Sequence, residues 1–507
     1  MNVTTLESTP LWLDQPRPNF EALRGAAKFD VAVIGGGITG LTVAYLLKQA
    51  GKRVAVFEKG TICGGETGHT TAHLVYITDL RLGKLASTFG KESARIVWTG
   101  GKTAIDLIEE IVHRESIDCG FQRVPGFVHA ALSQQRDETE ELQEEARLAR
   151  ELGFEATYEE HIPLAQKPGV RYENQALFDP VAYLSGLAQR IPGDGCDIYE
   201  HSEMTEAKND HPSIRVNGHV VQIDQLVIAT HVPLTGLSDQ ISATALQTKL
   251  YGYSTYVVGG RIPAGCLPFG SYNDTDDPYY YLRISHQSGH DYAIFGGEDH
   301  KTGQAGDSAT RYARLEQKLI NLIPGTDIDH RWSGQVIETN DGLPYIGPAN
   351  KKQFVASGYS GNGMTFGTLA AMMAHDWVLE KKNPWSDLFS LNRKKVLGGT
   401  WDYLMENKDY PFELIKGYLK SSPSEGLDSI KMGEGKVLIL NGNRRAVSRD
   451  SEDVIHNCSA ICTHMGCVVR WNAGEQTWDC PCHGSRFSVE GHVVAGPAET
   501  PLSTENN

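Results

Sequence analysis

Two short segments near the end of the chain carry metal-ligating residue types at close spacing. Cys462-Thr-His464 and Cys480-Pro-Cys-His483 form a C-x-H…C-x-x-H pattern, with fifteen residues between His464 and Cys480. Two thiolates and two imidazoles hold zinc tetrahedrally. They also hold a [2Fe–2S] centre, with both thiolates on one iron and both imidazoles on the other. Of nine cysteines, Cys458, Cys462, Cys467, Cys480 and Cys482 crowd into 25 positions, whereas Cys63, Cys119, Cys196 and Cys266 lie singly. In a chain that reads as cytoplasmic, such crowding argues for a metal or cluster before a disulfide scaffold.

A second chemistry is written near the start. Residues 29–57 read FDVAVIGGGITGLTVAYLLKQAGKRVAVF, in which Gly35, Gly37 and Gly40 match G-x-G-x-x-G. The apolar, β-branched DVAVIG suits a buried parallel strand, LTVAYLLKQA has helical apolar spacing, and RVAVFE reads as the next strand. In such a β-α-β unit the first glycine permits the tight turn, the second admits a pyrophosphate, and the third lets helix and strand pack closely. The helix N-terminus then offers N–H groups to the phosphates. Glu58 closes the second strand eighteen positions after Gly40, where a carboxylate accepts from ribose hydroxyls. The motif serves FAD or NAD alike. No second strand–GxGxxG–helix unit occurs in the chain, which favours flavin as the bound cofactor.

With ETGHTTAHL (66–74), LVIAT (226–230), WSGQVIETNDGLPYIGP and GYSGNGMTFG added, the first 385 residues resemble the D-amino acid oxidase/glycine oxidase/sarcosine oxidase group of FAD proteins. The resemblance implies that Glu58 and Lys59 lie near the adenosine. It puts Thr70, Thr71 and Ala72 along the ribityl chain and ring, Ala229 in a further flavin-contacting segment, and Gly361, Gly363 and Met364 beside the pyrimidine edge. It also implies oxidation of a C–N bond in an amine or amino acid by hydride transfer to the flavin. His69 and His73 occupy the loop where some relatives attach flavin through histidine; packing is the alternative for both. Arg283 is a candidate for holding a substrate carboxylate bidentately, with a surface ion pair as the other reading. Tyr279 to Tyr281 alternate faces of a strand, so one face at most lines a pocket. His231 reads as structural, and Asp341-Gly342 as a turn.

At the other end, CTHMGC and CPCHGS resemble the Rieske family, including its respiratory-chain branch. The resemblance covers about 428–502 and runs through GHVVAGPAETPL. It favours [2Fe–2S] over zinc and implies Cys462, His464, Cys480 and His483 as ligands. It further implies a disulfide between Cys467 and Cys482, for which free thiols are the alternative in a cytoplasmic chain. Ser485 matches the family's donor to a bridging sulfide. Phe487 stands where high-potential members carry tyrosine.

These residues need elements to position them. A chain of 507 residues is long enough for about three domains of roughly 150 residues each. The expected fold is an α/β dinucleotide-binding, Rossmann-like FAD domain (29–80, 150–235 and 330–385). An antiparallel-sheet substrate domain (81–149 and 236–329) is interleaved with it. A lead over 1–28 precedes it, and a connector (386–427) joins it to an all-β Rieske domain (428–507). Residues 136–154 read as a surface helix, and VNGHVVQ as a hairpin. The net charge of −16 argues against nucleic-acid binding, which needs clustered Lys and Arg. No stretch approaches the ~20 apolar residues of a membrane span, and the N-terminus lacks the pattern of a secretory signal.

The expected partners are an amine or amino-acid substrate and a redox partner that the sequence does not identify. A flavin takes two electrons and a cluster carries one at a time, so a dehydrogenase passing electrons outward through the cluster is the leading expectation. Inward flow supporting a reductive or oxygen-using reaction, a simple oxidase, and a non-enzymatic redox sensor are the alternatives.

Overall fold

The computed structural model describes residues 8–133, 136–208, 213–232, 249–287, 289–305, 308–393, 413, 416–418 and 427–504. Most of the expected connector therefore lies outside the described residues.

The dinucleotide unit forms as its sequence pattern dictates. Strands Val31–Ile34 and Val54–Phe57 are buried at every position and pair in parallel. Such uniform apolarity marks a strand covered on both faces. Helix Ile38–Gln49 joins them and ends at Ala50, followed by Gly51 at φ +77°. The sheet has six strands, in the order Tyr345–Asn350, Gln353–Ser357, Gln225–Ile228, Val31–Ile34, Val54–Phe57 and Asp197–Tyr199. Only the Tyr345–Asn350 edge strand runs antiparallel to its neighbour. Helix Gly363–Val378 packs beside Ile38–Gln49, and Gly367 is the close-approach point: a Cβ there would lie 2.8 Å from Ile38 and 2.9 Å from Thr39.

A nine-stranded mixed sheet stands against this unit. Its central ladder is antiparallel and joins Asp327–Thr339, Leu250–Arg261, His290–Lys301 and Tyr281–Gln287. It continues through Gly270–Asp274, Gln122–His129, Gly169–Leu177 and His73–Leu74, with Ala156–Glu159 paired to Gly169–Leu177. The strands at 156–159, 169–177 and 327–339 thus belong to this sheet, so the domain limits expected at 150 and 330 do not follow the sheet boundaries. Strand pairing is set by register across space, and successive sequence segments alternate between the two sheets. A smaller four-stranded sheet holds the expected hairpin, Ser213–Val216 with His219–Gln222, turned at Asn217-Gly218 with both φ positive. The charged stretch at 136–154 forms helix Thr139–Glu151, which buries Leu142, Ala146 and Ala149.

The C-terminal part is all-β. It comprises a three-stranded sheet (Gly435–Leu440, Asn443–Arg449, Ile455–Ser459) and a four-stranded one (Arg470–Asn472, Thr477–Asp479, Arg486–Phe487, Val493–Ala495). Among the described residues no helix is long and apolar enough to cross a membrane.

Candidate functional site

The glycine turn is built around contacts that no other residue tolerates. Gly35 has φ +109°, and a Cβ there would lie 2.4 Å from the Ala229 carbonyl oxygen. A Cβ on Gly40 would lie 1.9 Å from the Gly35 oxygen, and one on Gly37 would lie 2.9 Å from Thr67 Oγ1. Helix Ile38–Gln49 starts at Gly37, which supplies no capping side chain; Thr67 Oγ1 takes the Ile38 N–H (3.2 Å), and the N–H groups that follow in the first turn suit an anionic ligand. Glu58 accepts from the N–H groups of Gly36 (2.7 Å) and Gly60 (2.8 Å), which places its carboxylate against the turn. Lys59 beside it is exposed.

Thr70, Thr71 and Ala72 lie in a loop fixed from several sides. Trp12 Nε1 donates to Thr70 O (2.6 Å), Thr70 Oγ1 accepts from Ala72 N (3.0 Å), and Ala72 has φ +58°. His73 stacks edge-on against Tyr281, and burial pushes its imidazole down to about 3, so it is neutral. His69 Nδ1 meets Gly65 O at 2.9 Å. His231 is deeply enclosed, and burial lowers its pKa as well.

Arg283 has a task other than the one expected of it. It is 1% exposed, and its Nη1 donates to the carbonyls of Phe178 (2.7 Å), Ala72 (3.0 Å) and Thr71 (3.4 Å). The guanidinium also lies over the Trp12 ring at 5.0 Å. Through Nη1 it braces the 70–72 loop, and its Nε donates to Ser285 Oγ (3.3 Å), so two of its three nitrogens are engaged within the protein. Period-two alternation marks the strand face of such a residue but not what already covers it.

Gly361, Gly363 and Met364 open the C-terminal helix next to a set of groups the sequence did not flag. Gly361 N donates to Asp79 Oδ2 (2.5 Å), and Tyr279 Oη donates to Asp79 Oδ1 (3.0 Å). Asp79 is exposed by surface area, yet burial pushes its carboxyl above the usual range. Open space surrounds Gly363, and Met364 is buried. Tyr279 and Tyr281 share one face, with ring centroids 5.7 Å apart, while Tyr280 stacks on Phe295 on the other. Asp299 lies close to Asp79, and burial drives its carboxyl up to about 7. The glycine cradle, the first turn of the helix and the open space at Gly363 fit a dinucleotide carrying a flat ring system.

The cysteine–histidine loops are two copies of one design. In the first, Cys462 N donates to Cys467 O (2.8 Å) and Gly466 N to Cys462 O (3.0 Å). In the second, Cys480 N donates to Ser485 O (2.7 Å) and Gly484 N to Cys480 O (3.0 Å). Gly466 and Gly484 both take positive φ, +78° and +80°. The loops bring the four donors together: Cys462 and Cys480 are 2% and 1% exposed, and the rings of His464 and His483 lie 4.9 Å apart at 87°. His464 Nδ1 is buried without a hydrogen-bond partner, as a ligand atom aimed at a metal would be. The Cys462 thiol is held down at about 7, chiefly by its contact with the Cys480 thiol and also by backbone N–H groups of His464 and Met465. Cys480 is raised by the same contact. Two buried thiols and two half-buried imidazoles on facing loops fit a [2Fe–2S] centre.

Cys467 and Cys482 are disulfide-bonded, with Cα atoms 6.5 Å apart, and the sulfur of Cys480 lies within 4.8 Å of both. Ser485 is fully buried, and its Oγ accepts from Ala498 N (2.9 Å), leaving the hydroxyl proton to donate towards Cys462. Phe487 is fully buried among the same residues and offers no donor. Hydrogen bonds to the sulfurs raise a cluster's potential. Ser485→Ala is therefore expected to lower the midpoint and Phe487→Tyr to raise it in protein-film voltammetry. A midpoint unmoved by both substitutions would refute the argument.

The cluster loops are docked onto the larger part of the molecule. Gln304 Nε2 donates to Pro481 O (3.0 Å), Gln335 Nε2 to Gly484 O (2.6 Å), and Arg470 Nη1 to Gly303 O (3.2 Å). A Cβ on Gly303 would lie 2.7 Å from Pro481 N, and one on Gly252 would lie 3.4 Å from Gly484 Cα. Strand Asp327–Thr339 also holds the flavin-side loop. Gln335 N donates to Glu66 Oε2 (2.7 Å), Trp332 Nε1 to His69 O (2.8 Å), and neighbouring Thr67 Oγ1 accepts from Ile38 N (3.2 Å). Sequence patterns gave no sign of Gln335, Gly303 or Gly252, because each acts only through partners far away in the chain.

Comparison with known proteins agrees with both halves. Residues 30–377 match the family model described as FAD dependent oxidoreductase, and residues 424–505 match the Rieske [2Fe-2S] domain. YhfW of Bacillus subtilis (strain 168), whose name describes a Rieske 2Fe-2S iron-sulfur protein, is 34% identical over 492 residues, covering 96% of this chain and 95% of its own. Gamma-glutamylputrescine oxidoreductase of Escherichia coli (strain K12) is 24% identical over 372 residues, 70% of this chain and 84% of its own. The crystal structure of glycine oxidase from Geobacillus kaustophilus superposes with a TM-score of 0.61 at 22% identity, over 73% of this chain and 100% of that one. The glycine cradle, the paired cysteine–histidine loops and these matches together assign the chain to the FAD dependent oxidoreductase family, with a C-terminal Rieske [2Fe-2S] domain and with FAD and a [2Fe–2S] cluster as its cofactors.

Proposed function

We propose that this oxidoreductase oxidises the C–N bond of an amine or amino acid and releases the electrons singly, through the cluster, to an external acceptor. When bound, FAD supplies two-electron hydride acceptance and the [2Fe–2S] centre one-electron transfer. In this reading Cys462, His464, Cys480 and His483 ligate the cluster, tied by the Cys467–Cys482 bridge. Gly35, Gly37, Gly40 and Glu58 hold the diphosphate and ribose, with Lys59 near the adenosine. Thr70, Thr71, Ala72, Ala229, Gly361, Gly363 and Met364 surround the remainder.

The observation that carries the reading is the docked cluster loop. Gly484, next to His483, is bonded to Gln335, whose own backbone is bonded to Glu66 of the flavin-side loop. A cluster held there would share a bonded seam with the flavin-side loop, which supports electron exchange between the two cofactors. The names of the Escherichia coli relative and of the glycine oxidase neighbour both point to nitrogen-bearing substrates. The carboxyl of Asp79 accepts from Gly361 N, and Asp299 lies beyond it with Arg311 nearby; two carboxyl groups on this side supply acceptors for an amine nitrogen.

The test is anaerobic addition of a panel of amines and amino acids to protein holding both cofactors. A substrate is expected to bleach the flavin absorbance and then to bring up the EPR signal of the reduced cluster. Failure of the whole panel to bleach the flavin, with the cluster reduced first by a one-electron donor, would overturn the proposal.

A further inference from the structure

We propose that Gln335 is a positioning residue that holds the cluster loop in register with the flavin-side loop for electron passage. The inference rests on the reading that electrons pass between the two cofactors. Each event moves one electron from reduced FAD to the oxidised cluster, which passes it to the external acceptor before taking the second; the flavin N5 proton leaves to solvent, and the protein makes no covalent bond in either event. What the protein supplies is therefore spacing.

Gln335 is the residue that touches both sides. It is 3% exposed. Its backbone N–H donates to Glu66 Oε2 at 2.7 Å, and its side-chain Nε2 donates to Gly484 O at 2.6 Å and to Thr302 Oγ1 at 3.3 Å. Glu66 belongs to the turn Glu66–Gly68, whose Thr67 receives the first N–H of the dinucleotide helix. One residue thus joins the carbonyl beside a cluster histidine to the loop at the phosphate end of the flavin site.

The packing around this bridge leaves no slack. A Cβ on Gly252 would lie 3.0 Å from Gln335 Nε2 and 3.4 Å from Gly484 Cα. The rest of the seam has its own bonds, Gln304 to Pro481 and Arg470 to Gly303. Removing the Gln335 donor therefore frees the corner at 483–484 while the domain stays attached. It leaves a buried carbonyl unpaired, which favours excursions of that corner.

Two variants test this. Gln335→Met keeps the side-chain length and removes the donor. Gly252→Ala leaves Gln335 in place and wedges the contact. The cluster is followed after flash photoreduction of the flavin in protein carrying both cofactors. Both variants are expected to slow its reduction, because the spacing that sets the transfer rate is no longer fixed. FAD content, cluster EPR g-values and cluster midpoint are expected to stay at wild-type values. Amide hydrogen exchange over 480–487, read on the same proteins whatever their cofactor loading, is expected to rise. Wild-type transfer rates in loaded variants, or unchanged exchange at 480–487 in both, would overturn the role of Gln335. Absence of flavin-to-cluster transfer in the wild-type protein would instead overturn the proposed function, with the exchange result still reporting on the contact.

Discussion

Gly40→Val is expected to give a protein that retains no FAD. Even the first carbon of the new side chain would lie 1.9 Å from the Gly35 oxygen and 3.3 Å from a Val33 methyl, and valine adds two more. Neither neighbour yields cheaply. Gly35 is backbone already held at φ +109° against Ala229, and Val33 lies in a fully buried strand. The helix must move away from the strand, which displaces Gly35, Gly37 and the first-turn N–H groups together. Overpacking of this kind costs about 1–3 kcal/mol or more in stability. The larger effect falls on the ligand, because the phosphate site is the geometry of that turn. The checks are flavin absorbance after gel filtration and thermal melting with and without added FAD. A ligand at 100 times its Kd stabilises a protein by about 2.7 kcal/mol, and that FAD-dependent increment should vanish. Gly25→Ala, with open space around the new Cβ, serves as the neutral control. Full FAD occupancy in Gly40→Val would contradict the assignment of the cradle.

Cys480→Ser is expected to abolish the [2Fe–2S] centre and leave FAD bound. Cys480 is 1% exposed and faces Cys462 across the two matched loops. Serine supplies a hydroxyl that stays protonated where a thiolate is required. Iron content and the EPR signal of the reduced protein should fall to background. The flavin cradle is built from residues between Gly35 and Met364, so flavin absorbance should persist. Cys458→Ala provides the comparison. Cys458 is fully buried, but its sulfur sits 3.8 Å from Ala446 O, and that variant should keep its cluster. A Cys480→Ser protein with normal iron would show that another donor set holds the metal. One that loses flavin as well would show that docking of the cluster domain is needed to keep the cradle intact.

What the sequence made legible was chemistry held within short segments. The glycine turn could be read because Gly35, Gly37 and Gly40 act within six positions and strand, helix and acid follow in order. The cluster site could be read because each loop carries its Cys and His within four positions, and the Asn217-Gly218 hairpin because its turn is local. The docking seam was not legible: Gln335 and Gly484 lie 149 positions apart, and neither breaks a periodic pattern. Asp79 was missed for the same reason, since its contact with Tyr279 spans 200 positions. Trp12 went unremarked in a proline-rich lead, although it braces Thr70 and covers Arg283. Arg283 itself shows the limit most sharply. Its strand and face were readable, but the three carbonyls that Nη1 meets come from two distant segments, and only tertiary packing reveals that bracing contact.

The glycine-lined seam also bears on biogenesis. Pro481 and Gly484 rest on Gly303 and Gly252 with no room for a methyl group at Gly303, whereas Cys480 is enclosed within its own domain by residues that include Cys458, Trp478 and Phe487. Iron and sulfide reaching that thiol therefore call first for an opening inside the C-terminal domain. Closure of the seam adds a second restraint on residues 481–484, so a chain that closes empty has less freedom there to admit its cargo.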